Sequence, residues 1–118
     1  LIIDDSAFQR RIIRSLVRDA GYETEEAENG RAGLEKIAAR KPDCILTDLL
    51  MPDMGGLELL ESLRELAAAI PVIIITGNIQ DSVRQRCLEL GAAAVVNKPV
   101  RQEELLPAIE KALGDIVV

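Results

Sequence analysis

Cys44-Ile45-Leu46-Thr47-Asp48 is a short apolar run that stops on a carboxylate. Outward from it, the same arrangement recurs along the chain. Leu1-Ile2-Ile3 runs into Asp4-Asp5, Val72-Ile73-Ile74-Ile75 runs into Thr76, and Ala93-Ala94-Val95-Val96-Asn97 runs into Lys98. Continuous aliphatic runs of this length read as strands buried on both faces, as in a parallel sheet. If they are parallel, their C-terminal ends share one edge. Three carboxylates, a hydroxyl and an ammonium then meet where open α/β sheets bind ligands.

Helical patterns separate the runs. Phe8, Ile12, Leu16 and Ala20 recur at intervals of four, with Ser6 as N-cap and Gly21 as the C-terminal stop. Tyr22 to Ala27 alternates weakly and, with Glu23, Glu25 and Glu26, suits an edge strand. Asn29-Gly30 opens a second helix carrying Leu34, Ile37 and Ala38, halted near Pro42. Asp43 to Thr47 is strand three, and Leu57, Leu60, Leu63 and Leu66 mark helix three. Pro71 starts strand four, while Val83, Cys87 and Leu90 mark a fourth helix ending at Gly91. Ala93 to Val96 is strand five and Gln102 to Leu113 helix five. Pro107 falls inside that last helix, so either the helix starts late, with Pro107 in its first turn, or it is kinked there; a kink or irregular start is the favoured reading. Five alternations of strand and helix give an α/β fold, a parallel sheet with helices on both faces. Residues 1–118 are expected to form one domain.

Composition narrows the function. Aromatics are 2% of the chain, a single Phe8 and a single Tyr22, so the core must be aliphatic and flavin or base stacking is disfavoured. The net charge of -6 argues against nucleic-acid binding. Arg10, Arg11, Arg14 and Arg18 read as the solvated face of helix one. The absence of histidine excludes histidine triads, histidine zinc sites and a phosphohistidine step within this chain. Cys44 and Cys87, with no CxxC, read as reduced core thiols in a cytosolic setting. No run approaches membrane-spanning length, and no signal peptide or anchor is expected, although the sequence also lacks an initiator Met.

The strand ends carry the chemistry. Asp4-Asp5 exceeds what a helix cap needs, since one acid with Ser6 would serve. Asp48, at the end of an apolar strand, is costly to bury unless it is paired or binds a metal. Lys98 needs a counter-charge, which the acids of strands one and three supply, and a cis bond to Pro99 is one way to aim it inward. Gly77 keeps the approach to Thr76 open. Asp4, Asp5, Asp48 and Lys98 together leave two negative charges, which one Mg2+ would cancel. Without a cation the carboxylate pKa values would be pushed upward. Mg2+ uses few carboxylates and completes its shell with water and phosphate oxygens. An aspartate can form an acyl phosphate without a general base, because its carboxylate is already ionised. Lys98 would neutralise charge on the transferring oxygens and Thr76 would donate a hydrogen bond.

Taken together, Asp4-Asp5-Ser6, Thr47-Asp48-Leu49-Leu50-Met51-Pro52-Asp53-Met54-Gly55-Gly56, Ile75-Thr76-Gly77, Gly91-Ala92-Ala93 and Lys98-Pro99 resemble the receiver domains of two-component response regulators, end to end. The resemblance implies a flavodoxin-like, doubly wound (βα)5 fold with a five-stranded parallel sheet in the order 2-1-3-4-5. It implies that Asp48 is the phosphoacceptor. It implies Mg2+ held by Asp5, Asp48 and the backbone carbonyl of Leu50, with Asp4 acting through water, and Thr76 and Lys98 touching the phosphoryl group. The implied donor is a phosphohistidine on a sensor histidine kinase or a histidine phosphotransfer protein, with small acyl phosphates as substitutes. A phosphatase or downstream effector, a cytoplasmic setting, no membrane and no direct nucleic-acid contact complete the expectation. Signalling would pass through the face of helix four, strand five and helix five. Four positions depart from or tune the family pattern. Val95 replaces a common aromatic, Val100 replaces a frequent Phe, and Leu50 and Asn78 occupy the positions that tune hydrolysis of the acyl phosphate.

Three rival functions make different demands. A phosphohydrolase with an aspartyl-phosphate intermediate needs an acid at position 50, which is Leu50. A flavin binder needs a phosphate loop and aromatic walls after strand one, where the chain reads Asp5-Ser6-Ala7-Phe8. A degenerate receiver serving only as an interaction module would have lost site residues, and none is missing.

Overall fold

The computed structural model describes residues 1–51, 54–66, 69–77 and 80–114. Its elements alternate throughout: β1 (Ile2–Ile3), α1 (Ala7–Asp19), β2 (Glu26–Ala27), α2 (Gly30–Ala39), β3 (Ile45–Asp48), α3 (Gly56–Glu65), β4 (Val72–Thr76), α4 (Asp81–Glu89), β5 (Ala94–Asn97) and α5 (Gln102–Gly114). The strands form one five-stranded sheet in the order β2-β1-β3-β4-β5, and every pairing is parallel.

The two-residue period of the strands divides the core into two layers. Ile3, Ile45, Ile74 and Val95 face one side with Leu59, Leu60 and Leu63 of α3 and Cys87 of α4, while Leu34 and Ile37 of α2 pack alongside. Ile2, Leu46, Ile73, Ile75 and Val96 face the other side, against Ile13 and Val17 of α1 and Leu105, Ile109 and Ala112 of α5. Aliphatic character on both faces of each strand is thus used twice, once per layer.

Caps and turns follow the sequence closely. Ser6 Oγ accepts from Gln9 N at 3.2 Å, and Asn29 Oδ1 accepts from Ala32 N at 2.7 Å. Gly21 and Gly91 follow α1 and α4 at φ +94° and +102°, a conformation that side chains bearing a Cβ avoid.

Helical phase departs from expectation in two places. The buried line of α1 runs through Ile13 and Val17, with Ile12 and Leu16 on its flanks; Phe8 and Ala20 are exposed. In α3 Leu60 and Leu63 are buried as expected, but Leu59 joins them as the most buried residue, whereas Leu66 lies past the helix end and is exposed. A strict four-residue interval, as in α1, or three-residue interval, as in α3, drifts around a helix of 3.6 residues per turn, so spacing alone does not fix which line meets the sheet. Strand two is shorter than 22–27, and strands three and five each sit one or more residues later than expected. Helix five starts at Gln102 and continues through Pro107, so a late start is excluded. An interior proline costs about 3 kcal/mol. Burial of Leu105, Ile109 and Ala112 against the sheet offsets it, since a large aliphatic side chain gains roughly 1.5–3 kcal/mol when fully buried.

Candidate functional site

Strand register explains why the strand ends converge. Ile3 pairs with Thr47, so the next residues, Asp4 and Asp48, leave the sheet side by side. Asp48 pairs with Ile75, which sets Thr76 one step further along the same edge, and Thr76 pairs with Asn97, the residue before Lys98. Carboxylate oxygens of Asp4, Asp5 and Asp48 lie within 4.8 Å of one another. Lys98 Nζ stands 3.2 Å from Asp4 Oδ2 and 3.3 Å from Asp48 Oδ1. The Lys98 N–H donates to the Thr76 carbonyl at 2.9 Å, and the Lys98–Pro99 peptide is cis.

The three acids sit in different surroundings. Asp4 is buried, and its Oδ1 accepts from Ser6 N at 2.9 Å while Oδ2 accepts from Lys98. Asp5 is exposed. Asp48 is partly covered, and its Oδ1 also accepts from Leu49 N at 2.9 Å. Burial is the main force pushing the Asp48 pKa above its ordinary value; the charge of Asp4 adds to it, and Lys98 and the Leu49 N–H oppose it. Three clustered carboxylates against one ammonium, one of them held in an unfavourable ionised state, form a donor set that fits a hard divalent cation.

The loop after Asp48 divides by side chain. Leu49 is buried, Met51 and Met54 pack against the core, and Leu50 stands 71% exposed. Gly56 opens α3 directly beneath the acceptor strand: a Cβ there would lie 2.8 Å from the Asp48 carbonyl oxygen. At Gly77 a Cβ would meet nothing within 4 Å, so the approach beside Thr76 is open as expected. Val95 is buried in the core, and Val100 packs against the other layer. Pro52, Asp53 and Asn78 lie outside the described residues.

Two arginines expected on a solvated face are at work inside the fold. Arg10 Nε and Arg14 Nη1 bind the two carboxylate oxygens of Glu26, at 3.3 and 2.7 Å. Arg10 Nη1 also donates to the Asp4 carbonyl oxygen at 2.6 Å. The signal for this was the helical phase: Arg10 lies three and seven residues before Ile13 and Val17, on the buried line. Glu104 also reaches the site with no local sequence signal: its Oε1 accepts from Asn97 N at 3.3 Å, next to Lys98. Cys87 is buried and Cys44 half-buried, both as free thiols, and burial pushes Cys44 up to about 11.

Residues 1–110 match the family model of the response regulator receiver domain. The chain belongs to that family. This receiver is 33% identical over 115 residues to the chemotaxis protein CheY of Bacillus subtilis, a match covering 97% of this chain and 96% of CheY. It is 39% identical over 122 residues to the protein-glutamate methylesterase/protein-glutamine glutaminase of Treponema pallidum, covering 99% of this chain but 30% of that protein. The chain therefore spans less than a third of that relative's length. The solved structure of Vibrio cholerae CheY4 is similar with a TM-score of 0.88 at 31% identity, covering 95% of each chain. Receiver domains are phosphorylation-activated switches of two-component systems. They bind Mg2+ at an acidic pocket and interact with histidine kinases, effectors or phosphatases. The acid cluster of this receiver, Asp4, Asp5 and Asp48, lies at the C-terminal edge of its parallel sheet. Among the described residues, no helix is long and apolar enough to cross a membrane.

Proposed function

We propose that Asp48 is the phosphoacceptor of this receiver and that residues 1–118 act as one switching unit. A carboxylate oxygen of Asp48 attacks the phosphorus of a phosphohistidine on a sensor kinase or phosphotransfer protein. The new P–O bond forms as the P–N bond breaks, and the electron pair leaves with the imidazole of the donor. Lys98 offsets the charge of Asp48 before attack and faces the phosphoryl oxygens after it, while the Thr76 hydroxyl donates to one of those oxygens. Asp5, Asp48 and the carbonyl of Leu50 would hold Mg2+. Asp4, whose two oxygens are engaged by Ser6 N and Lys98, would act on it through water. When bound, the ion supplies positive charge against the transferring oxygens. The single observation that carries the reading is the Lys98 ammonium bridging Asp4 and Asp48 beside a third acid.

Phosphorylation would shift a two-state equilibrium read out through α4, β5 and α5, with a coupling of about 1–3 kcal/mol. Buried Val95 has no ring to swing, so the shift would run through Thr76 and the Lys98 segment, which the Thr76 carbonyl joins to β4. The receiver would assist its own phosphorylation and dephosphorylation without turning over external substrates, in the cytoplasm, where a kinase and an effector or phosphatase meet it.

The test is intact mass after incubation with Mg2+ and a small acyl phosphate. One phosphoryl adduct, lost in Asp48→Asn and with chelator, is expected. No adduct, or an adduct that survives Asp48→Asn, defeats the assignment.

A further inference from the structure

The Asp4 carbonyl oxygen belongs to the peptide that joins the acid pair just past β1, and the side chain that holds it comes from α1. Arg10 reaches back from the first turns of that helix to donate at 2.6 Å, the shortest bond of the cluster. Its guanidinium is not free to turn. Nε lies against Glu26 Oε1 at 3.3 Å, and Arg14 holds the other oxygen of the same carboxylate at 2.7 Å. Glu26 in turn is fixed to β2, the strand hydrogen-bonded to β1, where Asp4 N donates to Ala27 O at 3.1 Å. A planar fork with one prong on Glu26 therefore aims the other at a single backbone oxygen.

That oxygen lies in the plane of the Asp4–Asp5 peptide bond. Six atoms of a peptide move together, so fixing the carbonyl fixes the direction in which the Asp5 amide leaves. The exposed Asp5 carboxylate and the buried Asp4 carboxylate are both hung from this plane.

We propose that Arg10 is a positioning residue for the metal: it orients the Asp4–Asp5 peptide so that the two carboxylates present their oxygens to a divalent cation together with Asp48. The inference rests on the metal-binding reading above and adds to it a residue that touches neither metal nor phosphoryl group. It predicts an effect opposite in sign to simple electrostatics. Removing a positive charge near an acid cluster should tighten cation binding; removing this clamp loosens it. A role limited to fastening α1 to β2 would lower stability and leave the affinity of the folded domain unchanged.

The experiment is a titration with Mn2+ as probe, following the electron paramagnetic resonance of the free ion, at a temperature where circular dichroism shows each variant folded. Loss of an outer-shell partner of a metal ligand weakens affinity about 10- to 100-fold, so Arg10→Ala and Arg10→Lys should each bind about 10-fold more weakly than wild type. Lysine keeps the charge but cannot engage Glu26 and the Asp4 carbonyl as a fork. Arg14→Ala removes a charge from the same carboxylate but leaves the Arg10 fork on Glu26 and the Asp4 carbonyl, so its loss of affinity should be clearly smaller than that of Arg10→Ala. If Arg10→Ala fails to fold, Arg10→Lys and Arg10→Gln decide the matter. Wild-type affinity in a folded Arg10 variant, tighter binding, or an equal loss in Arg14→Ala would overturn the inference. Failure of the wild-type domain itself to bind Mn2+ would instead overturn the metal reading, and this inference with it.

Discussion

Lys98 Nζ stands 3.3 Å from Asp48 Oδ1, yet the carboxyl of Asp48 remains harder to ionise than an exposed one. Burial and the neighbouring charge of Asp4 outweigh the ammonium. The folded domain thus keeps a proton on Asp48 to higher pH than the unfolded chain does. The stability linked to that group is fully present below the unfolded pKa and is lost as pH rises through the folded value. At neutral pH without metal, ionised Asp48 is a net cost.

Asp48→Asn should therefore stabilise the metal-free domain at pH 7, seen as a higher Tm by calorimetry. The gain should shrink as pH falls through the raised folded pKa and be gone below about 4, where the wild-type carboxyl is protonated in both states. Saturating Mg2+ should narrow it from the other side by stabilising the wild type alone. A lower Tm for Asp48→Asn in chelator at pH 7 would contradict the account.

Glu26 shows the opposite sign. Burial works against its ionisation, but the hydrogen bonds and charges of Arg14 and Arg10 prevail and hold its pKa below the ordinary value. Its contribution is present above the unfolded pKa and disappears as pH falls through the folded one. Glu26→Gln should cost about 0.5–1 kcal/mol in urea unfolding at pH 7 and low salt, because the pairs are only partly covered. The difference should narrow as pH falls below the ordinary carboxylate range, and much of it should vanish in strong salt. An unchanged difference at pH 3 would mean that packing rather than charge holds the contact.

Gly56 and Gly77 form a contrasting pair. A Cβ at Gly56 would press on the backbone of Asp48, at 2.8 Å from its carbonyl oxygen and 3.1 Å from Leu49 Cα, and neither can step aside without moving the acceptor. Gly56→Ala should destabilise by about 1–3 kcal/mol, as overpacking does, and slow formation of the phosphoryl adduct in conditions where the domain is folded. Gly77→Ala meets nothing within 4 Å and should change stability by less than about 0.5 kcal/mol. Equal urea midpoints for the two variants would refute the packing argument.

What the sequence made legible was the sheet and its edge. Each buried strand is apolar until its last one or two residues, so the polar side chains that end the run mark where the strand leaves the sheet, and Asp4, Asp48, Thr76 and Lys98 are found there. Glycine and cap positions were legible because Ser6, Asn29, Gly21 and Gly91 have narrow conformational uses. Angular phase was not. The eye groups Phe8, Ile12, Leu16 and Ala20, but the sheet selects Ile13 and Val17, and with them Arg10. A charged residue on a buried line finds its partner on another element, here Glu26 of β2, and no local pattern announces such a pair.

Leu50 offers a test of how long the switch stays on. Its backbone follows Asp48 by two residues, and its side chain stands in solvent beside the acceptor instead of packing on the core. An aliphatic side chain there has no polar atom with which to hold a water for attack on the acyl phosphate, and it crowds the water that does approach. Leu50→Asn keeps the backbone carbonyl and supplies a donor and an acceptor. Because the side chain is exposed, stability should change by less than about 0.5 kcal/mol, so a kinetic effect will not reflect unfolding. Phosphate release from the isolated phosphorylated domain, followed by intact mass in excess Mg2+ after the donor is removed, should be several-fold faster in Leu50→Asn. Equal lifetimes would show that water reaches the acyl phosphate by a route that residue 50 does not govern.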